Sequence, residues 1–593
     1  MPYHAVRPNP MNPKSGRPWV MALGGLLLVL LYALAARGLP IGALQDDATH
    51  ILLAQSLLHG TYSLPDAFGS HPATDPMPGF AFLLAAPVWL AGPRWNLLKL
   101  VSLAAAAAAL FFFWRLAVRL LGRGRGTGAA ALVAVNPWFV AYAGFVTPDM
   151  LFLAVSLYLC DALDSAASAK KLAWMAILAS YAALLRPFGF FLPLFLSAAF
   201  LQRQGPRRGI AFLAASIGPL ALWTLRNHLL TGSLTRYVDH ARFQAAMLSG
   251  ARAMAGHAGA LLASFFGDGL LGLASAPFPV QATLGAAAVF LAGVGARRLL
   301  RAQGAPAVFL LTASAAALLC VHLDWLAVEP RYILPLLPAS WLLIIAGAEP
   351  VLRSRVARFS ALAVLLALVA PADFALARAG WRGPARFQPQ TMDWIRTQTP
   401  PAALFESLQC HDLILLTGRR SHVPNLGATN RDEWLAFALR SKTGYLHSVS
   451  VFPAGGYVSA GASRLARDME SWAQASPYVS LVFRDSSEGT AVYRIRHPDP
   501  ARFLEGWSDY EDASKAFRRR QSPVLVRRKL RLAVAREPNL AHAWAALAQF
   551  ESSPAQRLAD LRRACAADPR DSELRELLAA ELSRAGRRRA GAG

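Results

Sequence analysis

The sequence is short of charge. Only 16% of its 593 residues are Asp, Glu, Lys or Arg, where a soluble globular protein carries about 25%. With 55% hydrophobic residues and a mean hydropathy of +0.35, that shortage excludes a disordered chain and an ordinary cytosolic enzyme. Negative charge is scarcer still: 35 acidic residues stand against 60 basic ones, a formal net charge of +25. In a soluble protein such an excess points to nucleic acid. Here the basic residues fall largely in short clusters between apolar runs, as membrane orientation requires, so no nucleic-acid partner is expected. Cysteine is rare too. Four residues make no disulfide framework. Cys160 and Cys320 lie at apolar segments; Cys410 and Cys565 lie far apart in the polar C-terminal part, where a pair between them stays open.

Long apolar runs are abundant. A span needs about 20 mostly apolar residues, and the first runs from Val20 to Ala36 behind a leader holding Arg7, Lys14 and Arg17. Its length and the lack of a convincing small-residue cleavage site predict an uncleaved anchor with a cytoplasmic N-terminus. The loop from Leu39 to Trp95 is then extracytoplasmic. Basic clusters recur at Arg115, Arg119, Arg123 and Arg125; at Lys170 and Lys171; at Arg203, Arg207 and Arg208; at Arg297, Arg298 and Arg301; and at Arg353, Arg355 and Arg358. Each comes two spans after the last, which puts all five on the cytoplasmic side of about eleven spans ending near Pro371. Parity requires that the apolar stretch Gly259–Ala276 not cross, and it reads as an interfacial or re-entrant helix.

The pattern predicts a polytopic α-helical membrane region over 1–377, a soluble α/β domain over 378–508 and a helical segment over 509–593. In the α/β part, an amphipathic helix surrounds Met392–Arg396, an apolar run covers Asp412–Leu416, and Tyr478–Phe483 and Ala491–Ile495 read as strands. In the last part, Ala533–Pro538 runs into Ala541–Ala548, and Cys565–Pro569 into Glu573–Leu578. The two prolines are 31 residues apart, near the period of about 34 of a helix-pair repeat. The segment resembles a degenerate tetratricopeptide pair. It reads either as a recruiter of a protein partner or as a helical cap on the α/β domain.

Ionisable residues that do not set orientation collect at the outward ends of the spans, where polar groups near lipid mark function. Asp46 and Asp47 open a helix that carries Ile51, Ala54, Leu57 and Leu58 along one face and stops at Gly60. That spacing predicts a helix lying along the membrane surface, with both carboxylates at its head. They suit a general base and a substrate anchor; helix capping is the plainer alternative. His50 lies three and four residues on, near the same face. These three side chains are compatible with a divalent cation but too few to define a metal site, and none is assigned. Thr147-Pro148-Asp149 heads a later span, as a second acidic site or as a cap. Arg186, Arg226 with Asn227, and Glu329-Pro330-Arg331-Tyr332 follow on the same side, with His322 and Asp324 as minor candidates.

The order of these motifs carries a likeness. An acidic pair after the first span, an interfacial helix ending in Gly60, Pro78-Gly79-Phe80, Thr147-Pro148-Asp149, Arg186-Pro187-Phe188-Gly189, Arg226-Asn227 with Thr231-Gly232, and Glu329-Pro330-Arg331-Tyr332 lead to Met392–Arg396 and Leu416–Arg419. Over residues 20–425 the chain resembles bacterial GT-C glycosyltransferases of the protein O-mannosyltransferase and aminoarabinose transferase superfamily. The resemblance implies transfer of a sugar from a polyprenyl-phosphate carrier at the outer leaflet to a lipid, glycan or protein acceptor. It implies Asp46, Asp47 and Asp149 as catalytic acids. Arg331 comes first, before Arg226 and Arg186, as a phosphate contact, because a guanidinium donates two parallel hydrogen bonds; His50, Glu329 and Tyr332 complete the substrate side. His50 departs from the Tyr or Arg-Tyr common at that place. In a bacterial cell, as the Arg- and Ala-rich composition suggests, the protein is expected in the cytoplasmic (inner) membrane with its C-terminal domains periplasmic. An envelope-assembly scaffold or a lipid-linked glycan transporter is the competing class. A transporter would place charges at mid-membrane depth in two matching halves, and the sequence shows neither.

Overall fold

The structure is a computed structural model. It describes residues 18–590 apart from 45, 67–68, 93, 164–167, 233–250, 272–275, 304–333, 351–353, 384 and 450–459. The chain divides into two compact units. One holds Met1–Ile41, Leu53–Tyr62 and Pro72–Arg386; the other holds Gly42–Leu52, Ser63–His71 and Phe387–Gly593.

The first unit is helical. Its main elements are α1 (Pro18–Gly38), the end of α2 (Asp46–Leu58), α3 (Gly79–Ala91), α4 (Lys99–Leu121), α5 (Asp149–Ala162), α6 (Ala169–Leu185), α7 (Pro206–Thr231), α8 (Phe278–Gln303), α9 (Leu337–Ala348) and α10 (Arg355–Trp381). Among the described residues, Trp95–Leu121, Pro206–Thr231, Phe278–Arg301 and Ser360–Trp381 are long and apolar enough to cross a membrane, and Ala22–Gly38, Gly79–Ala91 and Leu337–Ala348 are shorter apolar helices. Large apolar side chains such as Leu26, Trp89, Phe290 and Phe374 face outward on them, which suits lipid. The chain is an integral membrane protein.

Small residues let these helices approach. A Cβ on Gly380 of α10 would strike the Leu34 carbonyl of α1, and one on Gly38 would lie 2.6 Å from the Gly380 nitrogen. Gly295 of α8 and Gly347 of α9 are locked in the same way against the carbonyls of Leu343 and Leu291. Lipid gives apolar side chains no reason to leave it, so such backbone contact carries helix association in membranes. The stretch that parity bars from crossing folds into the unit: Ala251–Leu261 is followed by a π-helix over Leu262–Leu270. Phe265, Phe266 and Leu270 are buried, and Asn136 Nδ2 donates to the Gly269 carbonyl at 2.8 Å.

The second unit is built on a five-stranded sheet. Strands β3 (Leu404–Ser407), β4 (Arg420–His422), β5 (Tyr445–Val449), β6 (Val479–Asp485) and β7 (Thr490–Ile495) run in the order β4-β3-β5-β7-β6, while β1 (Ser63–Asp66) and β2 (Gly69–Pro72) form a separate pair. β3 pairs in parallel with β4 and β5, and β7 runs antiparallel between β5 and β6. Helices α11 (Pro389–Gln398), α12 (Cys410–Thr417), α13 (Arg431–Arg440) and α14 (Ala460–Ala475) accompany the sheet; α15 (Pro500–Arg518), α16 (Pro523–Arg536), α17 (Ala541–Gln549), α18 (Pro554–Ala567) and α19 (Ser572–Ala590) follow it. Both expected strands are present, as β6 and β7.

The C-terminal helices pack as a cap. One hydrophobic core joins Trp434, Leu446 and Tyr493 to Trp507, Val526, Leu530 and Leu547. Pro538 and Pro569 fall in the turns α16–α17 and α18–α19. Arg431, 2% exposed, ties both turns to α13. It donates to the carbonyls of Asn539 (2.7 Å) and Ala567 and pairs with Asp432 (2.8 Å) and Asp568 (3.6 Å). Cys410 and Cys565 are free thiols.

Two outcomes test this packing. Gly380→Leu should lower the thermal midpoint of the purified protein by the equivalent of about 3 kcal/mol or more, while Gly24→Leu, on an open face of α1, should leave it unmoved. In the sheet, burial pushes the Glu406 carboxyl up to about 8 from 4.5, with Trp434 Nε1 donating to it at 3.1 Å. A raised folded value favours the folded state below the unfolded value and loses that favour as pH rises to the folded value. The stability advantage of Glu406→Gln over wild type should therefore widen between pH 4.5 and 8 and stay constant beyond.

Candidate active site

The first-loop acids stand at the head of α2. Asp47 is fully buried and His50 nearly so, while Asp46 is half-buried. Asp47 closes a turn: its Oδ2 accepts the Gly42 N–H at 2.9 Å and its Oδ1 the Ala48 N–H at 2.8 Å. Gly42 has φ +98°, and a Cβ there would lie 3.1 Å from the Phe387 ring, so only glycine suits the turn. Asp47 is thus engaged by the turn, and Asp46 is the more accessible carboxylate. The helix does not have one apolar face. Ile51, Leu52, Leu53 and Ala54 are all buried, so protein encloses this stretch and it does not lie along lipid, whereas Leu57 is half-buried and Leu58 exposed. The sequence reading of an interfacial helix is corrected on this point, because spacing alone cannot show what covers the opposite face.

The same unit brings α12 to these acids. Thr49 Oγ1 and His411 Nδ1 share a hydrogen bond of 2.7 Å. Burial holds the His411 imidazole below its ordinary value, against the pull of Asp46 and then Asp66. Asp412 is fully buried, and its Oδ1 lies 3.4 Å from where a Gly42 Cβ would stand. Burial, then Asp47 and Asp46, pushes the Asp412 carboxyl well above the usual range. Burial also pushes the Cys410 thiol up to about 12, which makes it inert. Sequence reasoning missed His411 and Asp412. Their one signal was a polar His-Asp pair opening an otherwise apolar helix. Among the described residues, no group of three or more His, Cys, Asp or Glu side chains is placed to hold a metal ion.

The first unit holds the second acid. Asp149 begins α5 and is 4% exposed, and no side chain caps that helix. Asp149 Oδ1 instead pairs with Arg186 Nη2, and its Oδ2 has no hydrogen-bond partner among the described residues. Arg226 stacks over Trp223, 4.5 Å from the ring centroid. It donates to the carbonyls of Ala73 (2.6 Å) and Tyr62 (3.3 Å) and to Asn227 Oδ1 (2.9 Å). Asn227 Nδ2 donates to the Thr74 carbonyl at 3.3 Å. The Arg226-Asn227 motif therefore grips Tyr62, Ala73 and Thr74 of its own unit. Gly79 packs on α6, where a Cβ would meet the Leu184 carbonyl at 2.8 Å. Lys99, missed in the sequence, is buried and donates to the Ala36 and Leu39 carbonyls at 2.7 and 2.5 Å, fixing the end of α1. His322, Asp324, Glu329, Arg331 and Tyr332 lie outside the described residues.

The apolar helices of the first unit and the sheet of the second belong to a class, the GT-C glycosyltransferase fold. No family model matches the chain, and no curated protein matches it in sequence. Among solved structures, ArnT from Cupriavidus metallidurans bound to undecaprenyl phosphate is similar, with a TM-score of 0.52 and 12% identity, over 81% of this chain and 98% of that one. The apo state of that protein gives a TM-score of 0.49 and 13% identity, over 80% and 98%. The Archaeoglobus fulgidus oligosaccharyltransferase in complex with Zn and sulfate gives 0.48 and 13%, over 79% of this chain and 73% of that one. The fold expected from the order of the motifs is the fold found.

The Asp149–Arg186 pair yields a direct test. Breaking a buried pair by removing one partner costs about 3–5 kcal/mol, and replacing both by apolar residues often restores stability. Arg186→Ala should lower the melting temperature sharply, and Asp149→Leu/Arg186→Met should recover most of the loss.

Proposed function

We propose that the protein is a membrane glycosyltransferase that moves a sugar from a polyprenyl-phosphate carrier to an acceptor hydroxyl or amine at the outer face of the cytoplasmic membrane. One observation carries this reading. An enclosed acidic segment heads α2 in a chain whose fold is shared with a protein crystallised with undecaprenyl phosphate. Orientation follows from the basic clusters: Arg125 and Arg298, from two of them, meet at Glu349, as clusters on one side of a membrane should. With the N-terminus cytoplasmic, the α/β domain and its helical cap are periplasmic.

The chemistry is a displacement at the anomeric carbon. The acceptor oxygen forms a bond to that carbon as the bond to the phosphate oxygen breaks, and the polyprenyl phosphate leaves with the electron pair. The acceptor proton passes to a carboxylate. The partial exposure of Asp46 supports this task, and Asp47 by its two backbone hydrogen bonds fixes the turn that presents it. Asp149, held by Arg186, lines the second acidic position, and His50 the acceptor side. Arg331, with Glu329 and Tyr332, is assigned to the departing phosphate, where a guanidinium fork matches two oxygens. Arg186 and Arg226 support that side through Asp149 and the first-loop backbone. Apolar helices meet the lipid tail and hold the donor in line.

The test is transfer from a panel of polyprenyl-phosphate sugars by purified protein, followed by mass spectrometry, with Asp46→Asn, Asp47→Asn and Asp149→Asn beside wild type. Wild type should consume one donor, and Asp46→Asn, while folded, should lose about 10²–10⁴-fold in rate. No consumption with membrane extract as acceptor, or equal rates in all four proteins, would favour an envelope-assembly scaffold or a lipid-linked glycan transporter.

A further inference from the structure

Asp412 belongs to no motif that the proposed transfer uses, yet it is among the most secluded charged groups of the chain. It is 0% exposed, and neither carboxylate oxygen has a hydrogen-bond partner among the described residues. Its Oδ1 stands 3.4 Å from the site of a Gly42 Cβ, and the Gly42 N–H is the group that Asp47 Oδ2 holds at 2.9 Å. Two carboxyl groups thus converge on one glycine in a place closed to solvent. Adjoining carboxyl groups in such a place keep one charge far more readily than two. Hydrogen bonds decide which group keeps it. Asp47 accepts two backbone N–H groups, from Gly42 and Ala48, and donors of this kind favour the ionised form. Asp412 accepts none among the described residues.

Other charges do not reverse the choice. Helix α12 packs against β1, β3, β4 and α11. These bring Asp66 from β1, Glu406 from β3, and Arg420 and His422 from β4; α11 adds Asp393 and Arg396, both exposed and paired with each other. His411, on the same helix, is turned to Thr49. None of them donates a hydrogen bond to Asp412.

We propose that Asp412 is a positioning residue of the first-loop site: it remains a neutral carboxylic acid, so that Asp47 alone carries the charge that clamps Gly42 and sets Asp46 at the head of α2. The task given to Asp46 rests on the transferase reading; the location of the proton does not. Asp412 thereby makes helix α12 a condition for the acidic segment's charge. If Asp412 ionised, a second negative charge would adjoin Asp47 and disfavour the turn.

Infrared difference spectroscopy of the full-length protein at pH 7 tests the proton directly. Wild type minus Asp412→Asn should show the C=O stretch of a protonated carboxyl, shifting in D2O; Glu406→Gln serves as the reference that removes a different buried acid. A difference spectrum without that band overturns the proposal. The second readout is the pH profile of donor turnover. Ionisation of Asp412 should depress wild-type turnover on the alkaline side, and Asp412→Asn, neutral at every pH, should move that limb up by at least about one unit, an about tenfold higher rate at the same alkaline pH. An alkaline limb that stays in place overturns the positioning role. If wild type consumes no donor, the transferase reading fails while the infrared band still decides where the proton resides.

Discussion

The acceptance of two backbone N–H groups by the Asp47 carboxylate is the interaction on which the acidic segment depends. It converts a loop after α1 into a fixed turn, with Gly42 at φ +98° and a helix starting at Asp46. In water an exposed carboxylate gains little from such bonds, because solvent offers the same. In an enclosed place they are strong, and leaving the charge without them is costly. The burial of Ile51 to Ala54 supplies the enclosure. The same apolar residues that a one-faced helix would spend on lipid here keep water from the turn.

The membrane unit solves a different problem. Its helices gain nothing by hiding apolar side chains from lipid, so they rely on backbone contact and on polar ties at their ends. Gly38 with Gly380 and Gly295 with Gly347 provide the contact. Lys99 at the end of α1 and Arg226 at Tyr62 and Ala73 provide the ties. Both donate to main-chain carbonyls, which fixes the ends of segments. Arg115 and Arg119, by contrast, meet Asp161, as Arg125 and Arg298 meet Glu349.

What the sequence shows and hides follows from range. Alternation along Val479–Asp485 and Thr490–Ile495 is local, so those strands were legible. Pro538 and Pro569 mark two like turns, so the helix pairs were legible as well. The membrane class and its fold could be read from apolar runs and from the order of short motifs. The company of Asp47 could not. Thr49 and His411 bond across 362 residues, and an acid in the first turn of Cys410–Thr417 looks like ordinary helix-dipole chemistry. The same limit hid the setting of α2: periodicity reports the face a helix turns inward, and the run Asp47–Ala54, buried at every position, offers no contrast to read.

The two acidic places differ in a way that bears on their parts in the proposed transfer. Asp149 is held by a guanidinium, so one of its oxygens is already occupied by a cation. An oxygen so engaged can orient a partner or steady positive charge, but it is not open to take an acceptor proton. In the first-loop segment the acids stand with backbone N–H groups, a histidine that bonds Thr49 and a fully buried carboxyl. Within it, Asp47 has both oxygens engaged by the turn, whereas Asp46 is partly open to solvent. A base must be ionised, reachable and free of stronger engagements at the oxygen that receives the proton. Of the three carboxylates that the sequence singles out, Asp46 is the most accessible, which is why the proposed transfer gives it the proton.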